Sequence, residues 1–256
     1  MAISINISDI LLTYMPRKIK SKYSRILLKL TGELFGDSRL KGLDFNSVNK
    51  VTNYIHNIYT KYDIQLAIVV GSGNLFRGRN VKGTNVDRAT ADYIGMLATI
   101  MNALALQESL ERHKLPTRVM SAVAIQSLCE PFIRRKALSH LENGKIVILA
   151  AGTGNPFFTT DSAAALKACE LKCDILLKGT SVEGIYNKDP KKNKNAVMYK
   201  TLSYQEALVK NLTVMDNTAF ALSQREKVPI IVFNINHLDN IEKIIRGEHV
   251  GTLIKR

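Results

Sequence analysis

The stretch Ile64-Gln65-Leu66-Ala67-Ile68-Val69-Val70-Gly71-Ser72-Gly73-Asn74-Leu75-Phe76-Arg77-Gly78 decides how the rest of the chain is read. Its first half has the length and the Ile, Val and Leu content of a strand buried on both faces, and a glycine-bearing turn ends it abruptly. Working outward, the runs Arg25 to Leu30, Lys145 to Ala151, Cys173 to Lys178 and Pro229 to Ile235 repeat the pattern. Between the first strand and the second, Phe45, Val48, Val51, Ile55, Ile58 and Tyr62 recur at spacings of three and four, which predicts one amphipathic helix. A longer helical pattern runs from Val86 to about His113. Asp161 is placed to cap a third helix through Leu171, and Ser203 with Glu206 forms a capping-box pair opening a fourth. Strands alternating with helices predict an α/β fold, a parallel sheet with helices on both faces.

Composition narrows the function classes. Among 256 residues, 36 Lys and Arg against 22 Asp and Glu leave a formal charge of +14, which favours anionic partners without choosing among nucleic acid, acidic membrane and phosphorylated metabolites. Part of that excess sits in solvated stretches such as Lys188 to Asn195. Trp is absent, and no stripe of Phe or Tyr alternates with basic residues, so nucleic acid is not expected as the primary partner. Three cysteines cannot complete a disulfide framework; Cys169 and Cys173 read as reduced, packed thiols, which points to the cytoplasm. No apolar run approaches a membrane span, and the N-terminal Ile3 to Leu12 stretch lacks the charge order of a signal peptide. Residues 1–23 read as an N-terminal extension, with Met15 a possible alternative start, and residues 24–256 as a single domain.

Glycines concentrate where strands end. Val70 is followed by Gly71-Ser72-Gly73, Ala151 by Gly152-Thr153-Gly154, and the first strand exits through Lys29-Leu30-Thr31-Gly32-Glu33. In a parallel sheet these turns gather at the carboxyl edge, where ligands of open α/β folds bind. Glycine lets backbone N–H groups approach phosphate oxygens, and a helix N-terminus beyond adds partial positive charge. Position six of the dinucleotide fingerprint is Phe76 in one loop and Phe157 in the other, and the ATPase P-loop pattern is absent. Each loop alone fits a tight turn as well. Together they suggest two phosphate-bearing ligands meeting end to end.

The runs Lys29 to Glu33, Gly71 to Gly78, Asp92 with Gly95-Met96-Leu97-Ala98-Thr99, Ala151 to Ser162, and Val214-Met215-Asp216 occur in a consistent order from about Ser24 onward. This set resembles the bacterial uridylate kinases of the amino-acid kinase superfamily. The resemblance implies a three-layer αβα sandwich on a mostly parallel sheet, ATP as phosphoryl donor, UMP as acceptor, Mg²⁺ carried by the nucleotide phosphates, and an allosteric homohexamer. By the same matching Lys29 and Lys178 serve the donor phosphates, and Asp161 and Asp216 orient the lysines and the donor. Ser72, Asp92 and the run Thr153, Gly154, Asn155, Pro156, Phe157, Phe158, Thr159 and Thr160 hold UMP, with Asp92 able to accept the ribose hydroxyls. Lys29, Leu30, Thr31, Gly32, Gly73, Arg77, Thr180, Tyr186 and Asp189 line the ATP side.

Plainer readings stand beside these roles. Asp161 alone reads as an N-cap, Lys178 as a solvated strand end, Asp92 as a polar helix residue, Arg77 as a surface charge and Tyr186 as core. The sequence also departs from the family: Ser72 replaces a usual Gly, Thr31 a usual Ser and Ser181 a common Lys. Asp37 to Gly42, where relatives of Gram-negative type bind regulatory GTP, matches poorly. The competing classes are a kinase acting on a carboxylate such as acetylglutamate or carbamate, and a nucleic-acid binder supported only by charge.

Overall fold

A computed structural model describes residues 18–37, 42–78, 85–190, 192–210, 212 and 214–256. The N-terminal stretch 1–17 and most of the segment 37–42 therefore lie outside the described residues. The sheet is built from β1 (Ile19–Leu30), β2 (Tyr62–Val70), β3 (Thr117–Ser121), β4 (Glu130–Pro131), β5 (Ile146–Ala150), β6 (Ile175–Thr180), β7 (Thr201–Ser203), β8 (Ile230–Asn234) and β9 (Thr252–Lys255). Their order across the sheet is β4-β3-β5-β2-β1-β6-β8-β9-β7, and only the β8–β9 pair is antiparallel.

Helices α1 (Phe45–Lys61), α2 (Arg88–Arg112) and α7 (Asp239–Arg246) pack on one face; α3 (Arg134–Glu142), α4 (Thr160–Glu170), α5 (Tyr204–Val209) and α6 (Asn217–Glu226) pack on the other. The result is a three-layer αβα sandwich. Alternation sets each face: Ile26, Leu28 and Leu30 of β1 enter the core with α1 and α2, whereas Leu27 enters the core with α4 and α6. Because both faces are covered, each central strand carries a continuous apolar stretch, such as residues 26–28, 66–70 and 175–177, which is why they stood out in the sequence. Short or edge strands β3, β4, β7 and β9 carried no such run.

Local chemistry sets the helix starts. Asp44 caps α1 by accepting from the Ser47 amide at 2.8 Å, Asp87 caps α2 from the Ala89 amide at 2.9 Å, and Ser203 with Glu206 closes the expected capping box of α5. Two expectations need correction. The first strand begins at Ile19, before Arg25, with a register shift between Lys20 and Arg25. The cap of α4 is Thr159, whose hydroxyl accepts from the amides of Asp161 and Ser162, both at 3.1 Å. Asp161 sits two residues on, within the first turn, its carboxylate released for other work. Among the described residues α2 alone is long and apolar enough to cross a membrane, but half of that stretch is buried inside the fold, as in a core helix.

Candidate active site

Two lysines meet because of register and parity. In the parallel β1–β6 pair Leu27 faces Leu176 and Lys29 faces Lys178. Leu27 and Leu176 lie in the core beneath α4, so the lysines two residues on share their face. Asp161, in the first turn of α4, meets both: its Oδ2 accepts from Lys178 Nζ, and its Oδ1 lies 3.3 Å from Lys29 Nζ. That Oδ1 is buried and carries no hydrogen bond, leaving acceptor capacity unspent at the centre. The three side chains are only 14% (Lys29), 7% (Lys178) and 16% (Asp161) exposed, so water screens them little.

Electrostatics follow from that burial. Burial alone would push the Asp161 carboxyl up, but Lys178 and then Lys29 outweigh it and hold it below the usual aspartate value. Burial also pulls Lys178 below the ordinary lysine range, Lys29 adds to the effect, and Asp161 opposes it. Two ammonium groups against one touching carboxylate form a cationic centre that favours an anion. Asp216 stands one step back. It caps α6, accepting from the Ala219 amide at 2.8 Å, and also accepts from Ser162 Oγ at 2.8 Å and from Thr159 Oγ1. The N-termini of α4 and α6 are thus tied together behind the lysines.

The loops after β1 and β2 interlock beside this centre. A Cβ on Gly32 would fall 2.3 Å from Gly73 N and 2.7 Å from Gly71 O, so only glycine permits the approach. Gly71 N bonds Leu30 O at 2.9 Å, and buried Asn102 of α2 holds Gly71 O at 2.8 Å and pairs with Asn74. Arg77 Nε donates to Gly73 O at 2.9 Å, and its Nη2 pairs with Glu33. Leu30 is buried at the end of β1, and Thr31 opens the turn that carries Gly32. Ser72 donates its hydroxyl to Phe76 O at 3.1 Å, so the side chain that replaces the family's glycine is turned into its own loop.

A second cluster forms around Asp92. Its carboxylate accepts from Arg88 Nε at 3.1 and 3.0 Å and from the Phe157 amide at 2.8 Å, joining the start of α2 to the loop after β5. In that loop Ala151, Gly152, Gly154 and Phe157 have positive φ; Phe157, at φ 72, is a non-glycine residue in the left-handed region, where strain often marks function. Thr99 fixes the loop's start, accepting from the Ala151 amide at 2.8 Å. Thr153 closes a turn with Asn155 at 3.2 Å, Pro156 follows, Phe157 and Phe158 are exposed, and Thr159 and Thr160 lead into α4.

Thr180 ends β6 two residues past Lys178 and accepts from the Val182 amide at 3.0 Å. Tyr186 bridges Met198 in the following loop, and the Asp189 carbonyl accepts from the Asn193 amide at 2.9 Å. Among the described residues no group of three His, Cys, Asp or Glu side chains gathers to hold a metal ion. The histidines lie elsewhere: His56 stacks near His113, His140 meets Glu130 and His237 faces Glu183. The sequence reading had no roles for Glu33, Thr99, Asn102 and Ser162. Glu33, Thr99 and Ser162 fall inside runs that carry the family resemblance, which was the available signal; Asn102 gave none.

Comparison with known proteins agrees along most of the chain. A model of the amino acid kinase family matches residues 24–234. The uridylate kinase of Wolbachia sp. subsp. Brugia malayi (strain TRS) is 49% identical over 235 residues, spanning 92% of this chain and 95% of the relative. That of Wolbachia pipientis wMel is 48% identical over 237 residues, spanning 93% and 95%. Among solved structures, the UMP kinase of Bacillus anthracis has a TM-score of 0.88 at 38% identity, covering 91% of this chain and 96% of its own. The UMP kinase of Ureaplasma parvum reaches 0.85 at 36%, covering 94% and 100%.

Proposed function

The chain belongs to the amino acid kinase family, and from that premise we propose how its residues carry out the transfer of a phosphoryl group from ATP to UMP, giving UDP and ADP, a step of pyrimidine nucleotide synthesis. The observation that carries the proposal is the convergence of Lys29 and Lys178 on Asp161 at the glycine-lined strand ends. Phosphoryl transfer needs alignment and neutralisation of charge more than covalent help. Lys29 and Lys178 flank the moving phosphoryl and stabilise its equatorial oxygens. Asp161 holds both ammonium groups in place, and Asp216 fixes Asp161's helix through Ser162 and Thr159.

The donor lies over Leu30, Thr31, Gly32, Gly73 and Arg77, with its adenosine toward Thr180, Tyr186 and Asp189. The acceptor lies against Ser72, Asp92 and residues 153–160, its ribose on Asp92. To accept the ribose hydroxyls, Asp92 gives up Arg88, an exposed partner whose pairing contributes little. UMP has a second phosphate pKa of about 6, so the attacking oxygen is ionised at neutral pH and no protein base is needed. Mg²⁺ carried on the donor phosphates would neutralise charge there, and the unspent Oδ1 of Asp161 is the oxygen placed to hold its hydration shell.

Family resemblance supports a cytoplasmic homohexamer under allosteric control, with one catalytic domain that takes in residues 24–256 and, since β1 starts at Ile19, the beginning of that strand as well; light scattering of the purified protein tests the assembly. The activity test is a panel of UMP, CMP, dUMP, AMP and acetylglutamate with ATP and Mg²⁺. UMP should be turned over fastest. A preference for acetylglutamate would move the chain to the carboxylate kinases, and turnover of none would remove the lysine centre from phosphoryl transfer.

A further inference from the structure

Glu33 carries no role in the reaction described above, yet its carboxylate pairs with Arg77 Nη2 while Arg77 Nε donates to Gly73 O at 2.9 Å. A Cβ on Gly73 would lie 3.5 Å from Glu33 Cγ and 3.7 Å from Arg77 Nε, so both side chains flank the Gly73 backbone. The ion pair spans the same two loops that Gly32 and Gly73 join through their backbones. Two acceptors fix the plane of a guanidinium that has five N–H donors, which leaves donors over for another anion. The pair lies at the open side of the loops, 33% (Arg77) and 54% (Glu33) exposed, where an ion pair adds little to folding stability.

We infer that Glu33 is a positioning residue for the donor nucleotide, presetting Arg77 so that its free N–H groups meet the donor phosphates without first losing rotamer freedom. The inference rests on the placing of Arg77 on the donor side. It predicts a selective effect, because the residues Glu33 meets, Arg77 and Gly73, are both placed on the donor side. Removing the carboxylate leaves Arg77 to be ordered on binding, which weakens ATP binding by about three- to tenfold, the scale for immobilising one long side chain.

Steady-state kinetics of Glu33→Ala, Glu33→Gln, Arg77→Ala and the Glu33→Ala/Arg77→Ala double variant test this. Glu33→Ala should raise KM for ATP by about three- to tenfold and leave KM for UMP unaltered, with kcat falling less than KM rises. Glu33→Gln, which keeps an acceptor oxygen, should recover part of the loss. In the Arg77→Ala background Glu33→Ala should add nothing, since coupled residues are not additive. An equal effect of Glu33→Ala in both backgrounds, a parallel rise in KM for UMP, or an unaltered or lowered KM for ATP would each overturn the inference. If Arg77→Ala leaves KM for ATP unaltered, the donor-side placing of Arg77 fails and the inference with it, while continued UDP formation would leave the reaction assignment standing.

Discussion

The two halves of the site are built from different materials. On the donor side, Lys29 and Lys178 stand on neighbouring central strands, opposite each other in register, and meet a buried carboxylate. On the acceptor side, Asp92 reaches from the first turns of α2 to the amide of Phe157, in a loop of left-handed residues whose Phe157 and Phe158 side chains are exposed. The reacting centre is therefore fixed by the sheet and shielded from water, which strengthens its charges before any ligand arrives. The proposed acceptor cradle hangs on Asp92, which at 16% exposure is as buried as Asp161 but pairs with the exposed Arg88, a partner that a nucleotide can displace. On the proposed reading, catalysis and substrate choice therefore reside in differently built parts, one set by paired strands and one by a loop.

Breaking the rigid half should have the largest consequence. Asp161→Asn leaves two ammonium groups buried without their counter-charge, so urea unfolding should report a loss of about 3–5 kcal/mol, with activity abolished. Because the Asp161 carboxyl is held below its usual value of 3.8 in the folded protein, the ionic stabilisation is complete above that value and fades as pH falls through the lower folded value. The stability gap between the parent protein and Asp161→Asn should narrow below about pH 4. A gap independent of pH would mean that the lysines do not act on Asp161 by charge.

Lys29→Ala retains the Asp161–Lys178 pair and should stay folded while turnover drops about 10²- to 10³-fold, the scale for removing one preorganised group that stabilises transition-state charge. Near-normal turnover in a folded variant would take Lys29 out of the mechanism. In the softer half, Asp92→Asn should raise KM for UMP by about tenfold, the scale of one charge-assisted hydrogen bond, and alter KM for ATP far less. Equal effects would erase the distinction between the halves. The smallest effect is expected away from both. Burial pushes the Cys169 and Cys173 thiols up to about 11 and about 12, so iodoacetamide at neutral pH should leave both unmodified in the native protein. Rapid alkylation without unfolding would contradict their packing.

Legibility in the sequence tracked burial and backbone proximity. The central strands were readable because burial on both faces demands continuous apolar runs, and the capping box of α5 because it is local. The cap of α4 was misread because Thr159 and Asp161 are both competent capping residues two positions apart, and only the position of the lysines draws Asp161 inward. Glu33 and Asn102 escaped because their partners lie 44 and 28–31 residues away, with no spacing rule linking them. The contact that Ser72 makes escaped as well: its hydroxyl donates to the carbonyl of Phe76, four residues on in the same loop, and no pattern in the sequence marks that pairing.

By itself the sequence determined the class of fold, the strand ends at which glycines gather, and the residue types able to manage phosphates, because periodicity and the absence of a side chain are properties of short segments. Only the tertiary structure decided that Lys29 faces Lys178, that one carboxylate serves both, and that Glu33 holds Arg77. Strand register and loop contact are settled by packing between segments far apart in the chain, and the register of a parallel pair has no signature within either strand alone.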